Sequence, residues 1–190
     1  MNERELSLGD KVIVLASTFE AAALPFAFGG ALALAYYAEP RATVDVDVNV
    51  FVPPDDIDRV AVVLQPLGVS ASAEERRVAR RDGQVRLRWE RTPLDLFFAY
   101  DEFHYGAAER IRRVPFGNVA IPVLAPGDLL VCKVVFDRRK DWIDIEQILL
   151  LTAGTLDINN VRDWVVRIVG ATDPRVERFD RAVVEVLGPI

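Results

Sequence analysis

The chain has 190 residues, of which 51% are hydrophobic and 27% charged, a balance that suits one globular unit, or one with a small appendage, and excludes a disordered tail. Its formal net charge of -6 argues against a surface coated in base that grips nucleic acid non-specifically. One cysteine, Cys132, and one histidine, His104, leave no intrachain disulfide and no His/Cys zinc cluster, so any metal chemistry falls to carboxylates.

The opening residues Asn2, Glu3, Arg4 and Glu5 lack the basic-then-apolar order of a secretory signal, and no run approaches the roughly 20 apolar residues that cross a bilayer. A cytoplasmic protein with no membrane partner is expected. Lys11 to Ala23 carries apolar residues at helical spacing and stops before Pro25. Phe26-Ala27-Phe28 reads as a short strand, Gly29-Gly30 as a tight turn, and Ala31 to Tyr37 as a second helix ended by Glu39-Pro40. Val44 to Val52 then alternates with period two, the pattern of a strand buried on one face.

Pro53-Pro54-Asp55-Asp56 closes that strand and caps a helix running to about Leu67. Gln84 to Glu90 and Pro93 to Tyr100 form an antiparallel pair with a turn at Arg91-Thr92. A short helix over Glu102 to Ile111 precedes a hairpin from Arg113 to Val123 that turns at Gly117-Asn118. From Pro126 the pattern is helical to the end, with Asp157 and Asp173 as starts and Gly154, Gly170 and Gly188 as stops. The expected class is α+β, a mixed sheet with helices followed by a helical C-terminal part.

The alternating strand carries the chemistry. Asp45 and Asp47 share one face, with Cα atoms about 6.6 Å apart, close enough for both carboxylates to meet one divalent ion. The plainer reading is a half-solvated sheet face. Asp95 sits inside the apolar run Pro93-Leu-Asp-Leu-Phe-Phe98, where an unpaired carboxylate is costly, which makes it a candidate third ligand. Lys133 is flanked by apolar residues on both sides, so it either reaches an anion such as a phosphate or snorkels at a helix edge. Asp141 lies on one helix face with Asp137 and with Asp144, where salt bridges to Arg138 or Lys140 are the ordinary alternative.

In this order, Gly29-Gly30, Arg41-Ala-Thr-Val-Asp45-Val-Asp47, Leu94-Asp95-Leu96, Lys133 and Arg138-Arg-Lys-Asp141-Trp-Ile-Asp144 resemble the DNA polymerase β-like nucleotidyltransferase superfamily. Within it the chain is most similar to the AbiEii/MenT nucleotidyltransferase toxins. The resemblance implies a polymerase β-like core over residues 1–125, and a helical part over 126–190 that completes the active site. It implies that Gly29 and Gly30 hold a nucleoside triphosphate; Lys133 and Arg41 would neutralise its charge, and Thr43 joins them in the nucleotide-binding set. Asp45 and Asp47 would ligate Mg²⁺, with Asp95 as the third acid, and Lys133 and Asp144 would complete the catalytic set. The fourteen residues between Gly30 and Asp45 make a slightly long gap for the superfamily.

The resemblance further implies transfer of a nucleotide to an RNA 3′ end, tRNA above all, and a cognate antitoxin as partner. Arg76, Arg77, Arg80, Arg81, Arg86, Arg88 and Arg91, with Trp89 among them, read either as a strip for an RNA backbone with a stacking ring or as a solvated face. A hydroxyl at Thr43, two residues before Asp45, would silence the site if phosphorylated; its plain reading is a β-branched residue at a strand start. The competing functions are a small-molecule nucleotidyltransferase of antibiotic-modifying type, a non-catalytic domain that binds nucleotide or a partner, and a metal-dependent nuclease.

Overall fold

Ser7 and Asp10 cap the first helix reciprocally: Ser7 Oγ accepts from the Asp10 amide at 3.1 Å, and the Asp10 carboxylate accepts from the Ser7 amide at 3.3 Å. That helix, α1 (Leu8–Ala21), opens a computed structural model that describes residues 6–188, so Asn2 to Glu5, read above for a leader, lie outside the described residues. The strands are β1 (Phe26–Phe28), β2 (Val46–Val50), β3 (Gln84–Trp89), β4 (Thr92–Phe98), β5 (Arg112–Phe116) and β6 (Val119–Val123). They form one mixed sheet in the order β3-β4-β2-β1-β6-β5.

The chain folds as two compact units. The first, residues up to Gly29 together with Ala42–Val123, holds the whole sheet with α1, α3 (Ile57–Leu64), α4 (Ala73–Asp82) and α5 (Glu102–Glu109). The second, Gly30–Arg41 with Leu124 onward, is helical: α2 (Gly30–Leu34), α6 (Pro126–Phe136), α7 (Arg139–Leu151), α8 (Ile158–Val169) and α9 (Pro174–Leu187). Gly30–Arg41 joins the later residues because α2 packs on α6 and the Tyr37 hydroxyl donates to the Leu124 carbonyl at 2.9 Å.

The sheet core follows from alternation. Val46, Val48 and Val50 on β2, Leu94, Leu96 and Phe98 on β4, and Val85, Leu87 and Trp89 on β3 are all buried on one face. The intervening residues form the polar face. The mixed sheet arises because β2 pairs parallel with β4 and antiparallel with β1.

Four local features differ from expectation. The β3–β4 turn falls at Glu90-Arg91 rather than at Arg91-Thr92, with Glu90 at a φ of 55°. Residues 73–82 form α4, which the sequence reading left without structure; Ser72 and Glu75 cap it reciprocally and Gly83 ends it at a φ of 67°. Third, β2 begins at Val46, so Thr43 and Asp45 precede the ladder. Fourth, the long helix expected to Leu67 is α3 flanked by 3-10 turns at Pro54–Asp56 and Gln65–Leu67. Lys11, 1% exposed, anchors α1 to the β3–β4 turn by donating to Thr92 Oγ1 at 2.9 Å and pairing with Glu90 at 2.8 Å.

Candidate active site

The parallel pairing of β2 with β4 sets Asp47 directly opposite Asp95, and the antiparallel pairing of β4 with β3 sets Asp95 opposite Arg86. Opposite residues in a ladder share a face, so three adjacent strands present Asp47, Asp95 and Arg86 in one row. Asp45, at the entry to β2, sits at one end of it. Arg86 Nε and Nη2 each donate to an Asp95 carboxylate oxygen at 2.7 Å, and Nη2 lies 3.7 Å from Asp45 Oδ2. The hydrogen bonds and charge of Asp95, aided by the charges of Asp45 and Asp47, hold the Arg86 guanidinium more firmly protonated than usual.

Both Asp95 oxygens are therefore occupied by one fork, a strong and directional arrangement. Thr43 Oγ1 accepts from the Asp45 amide at 3.3 Å, so this hydroxyl shapes the loop that presents the acid. Gly29, after β1, donates its amide to the Asp47 carbonyl at 2.9 Å, fixing the glycine turn beside the acid strand. Gly30 opens α2, a helix of five residues, with a φ of 51° that suits glycine.

Within the basic run, several arginines meet acids of their own chain. Arg76 and Arg80 pair with Asp58, Arg77 with Glu74, and Arg81 with Asp82. Trp89 faces the core at 4% exposure, since alternation on β3 puts it opposite Arg86 and Arg88, and it offers no ring to a base. Arg88 is exposed on the same face as Arg86.

In the helical unit, Lys133 on α6 donates to Asp144 Oδ2 on α7 at 2.5 Å and lies 3.8 Å from Asp141. Arg41 Nε and Nη2 donate to the two Asp144 oxygens at 3.2 Å each. Arg138 forks onto Asp141, as the salt-bridge alternative foresaw. The anion that Lys133 reaches is thus a carboxylate of its own chain, and the pair is buried. Such a clip fixes α6 against α7, and its loss leaves an uncompensated charge.

Carboxylate oxygens on the strand row fit a hard cation such as Mg²⁺, which takes one or two protein carboxylates and completes its shell with phosphates and water. Among the described residues no three His, Cys, Asp or Glu side chains converge to hold a metal by themselves.

A model of the nucleotidyl transferase AbiEii toxin family, Type IV TA system, matches residues 13–183. The chain belongs to that family. It is a nucleotidyltransferase of a toxin–antitoxin family, and its mixed sheet flanked by helices is the polymerase β-like nucleotidyltransferase fold. Among solved structures it is similar to the antibiotic-resistance factor ANT(2'')-Ia in solution, at 14% identity and a TM-score of 0.58 over 92% of this chain and 95% of that one. It is similar also to the lincosamide antibiotic adenylyltransferase LnuA with lincomycin bound, at 13% identity and a TM-score of 0.53 over 78% of this chain and 100% of that one. No curated protein matches the chain. Among the described residues no helix is long and apolar enough to cross a membrane.

Arg86 is the site-facing residue that sequence reasoning placed elsewhere, in a general basic run. The signal was present in the hairpin, whose register decides which arginine faces Asp95.

Proposed function

We propose that the chain transfers a nucleotide from a nucleoside triphosphate to an RNA 3′ end, with tRNA as acceptor, in a Mg²⁺-dependent reaction, and that it acts as the toxin restrained by a cognate antitoxin. The observation that carries this reading is the acid row, in which Asp47 and Asp95 stand in register on neighbouring strands with Asp45 at the strand entry. When bound to Asp45 and Asp47, the cation supplies neutralisation of the triphosphate charge. A carboxylate of the row takes the proton of the attacking hydroxyl, whose oxygen bonds to the α-phosphorus as pyrophosphate leaves in line. Little covalent chemistry is asked of the protein.

The family and the exposed Arg88, two residues along β3 on the face of the acid row, support a polyanionic acceptor. The nucleotide-binding and catalytic roles implied by resemblance for Gly29, Gly30, Arg41, Thr43, Lys133 and Asp144 belong to the same proposal.

The test is incubation of the protein and Mg²⁺ with each α-labelled triphosphate, in parallel with total tRNA and with an aminoglycoside. Label on the tRNA 3′ end that disappears in Asp45→Ala and Asp47→Ala proteins is the expected result. Label on the aminoglycoside alone replaces the RNA reading with small-molecule transfer, and absence of turnover with either leaves a binding domain.

A further inference from the structure

The row of acids already contains a cation. Arg86 covers both oxygens of Asp95 and approaches Asp45, yet its own side chain is 60% exposed while that of Asp95 is 15% exposed. The acid is held in place by the sheet; the base stands on a long, solvated stem on an edge strand. One of the two partners can leave, and it is the arginine.

We propose that Arg86 is a resident counter-ion that withholds Asp95 from the metal until a triphosphate arrives. A divalent cation entering alone must break a bidentate pair and leave the guanidinium without an anion. A cation that arrives with a triphosphate brings oxygens which suit the same planar fork, so Arg86 exchanges carboxylate for phosphate and Asp95 turns to the ion. Metal and nucleotide then bind as a coupled pair, and each strengthens the other. This inference rests on the reading of the acid row as a metal-dependent transfer site, and it assigns Arg86 a positioning role within it.

The test measures Mn²⁺ binding to the nucleotide-free full chain, from the electron paramagnetic resonance signal of the unbound ion. Arg86→Gln is expected to bind Mn²⁺ about tenfold tighter than the parent, because the competing charge is gone. Arg86→Lys, which keeps the charge but loses the fork, is expected to gain about twofold to threefold. Adding Asp95→Asn to Arg86→Gln should erase the gain, since Asp95 is the ligand released. If both arginine variants bind Mn²⁺ no tighter than the parent while Asp45→Ala still lowers binding, the role of Arg86 is overturned and the transfer site stands. If Asp45→Ala and the parent bind Mn²⁺ alike, the acid row is not the metal site and both readings fall.

Discussion

Asp45, Asp47 and Asp95 stand partly buried on the sheet, with Arg86 forked onto Asp95 and 3.7 Å from Asp45, whereas Asp141 and Asp144 on α7 are buried and met by Arg138, Arg41 and Lys133. The two sets contain the same functional group and differ in how deeply it is buried. In the helical unit each acid has a fork or an ammonium against it, a closed arrangement that stabilises only while every member is present. On the sheet the acids crowd about one exposed guanidinium, and like charges on neighbouring positions favour any further cation. The sheet acids, around an exposed guanidinium, are the first place to look for the metal, while the buried acids of α7 hold α6 to α7 in addition to any part they take in transfer.

The comparison breaks most visibly through activity. Asp45→Ala and Asp47→Ala are expected to lower single-turnover nucleotide transfer by about a thousandfold or more, the loss of a metal ligand being worth several kcal/mol in the transition state. Their thermal midpoints should stay within a few degrees of the parent, because these side chains are partly solvated and removing one relieves repulsion. A large loss of stability with little loss of activity would give the sheet acids a structural role in place of a catalytic one.

Next in size is the buried clip. Lys133→Met should destabilise the protein by about 3 kcal/mol, since Asp144 is then left buried with a single base. The double variant Lys133→Met with Asp144→Leu should recover much of that loss, as apolar replacements of buried ion pairs commonly do. Urea titrations of the four proteins in this cycle measure the coupling directly; additive losses would show that the pair does not act as a unit.

How much of this was legible in advance depends on the range over which residues interact. The alternation from Val46 to Val50 and the even spacing of Asp45 and Asp47 are local, so the acid strand could be read from the chain. The register beyond it was not: a turn at residues 91–92 would set Arg88 against Asp95, while the observed turn sets Arg86 there. α4 escaped because Ala79 is its one buried residue among those described, which leaves no apolar stripe, although Ser72 and Glu75 spelled its cap. The partner of Lys133 lies eleven residues away across a helix turnover, a separation at which no sequence periodicity applies.

A smaller effect sharpens the sheet side. Gly83 joins α4 to β3 at a positive φ of 67°, and a Cβ there would lie 2.7 Å from the Tyr100 ring. Gly83→Ala should cost about 1–3 kcal/mol through backbone strain and crowding. Because this residue feeds directly into the strand that carries Arg86, the variant should also disturb Mn²⁺ binding, whereas Lys133→Met should leave Mn²⁺ binding to the row unchanged. Calorimetry together with the metal titration separates the two outcomes.

The smallest expected effect comes from a fork of the same chemistry between near neighbours in sequence. Asp173, which caps α9, accepts from Arg175 Nε at 2.8 Å and Nη2 at 2.9 Å, and from the Arg175 amide at 2.9 Å. The side-chain hydrogen bond from Arg175, and after it the backbone one, pulls the Asp173 carboxyl down to about 2. A depressed folded-state pKa contributes stability above the unfolded value, and that contribution fades as the pH falls from about 4 toward 2. Urea midpoints across this window should therefore fall less steeply for Asp173→Asn than for the parent, with the two curves converging at the acid end. The slope isolates what the fork of Arg175 and Asp173 contributes, the reference against which the fork of Arg86 and Asp95, with Asp45 3.7 Å from the same guanidinium, is to be judged.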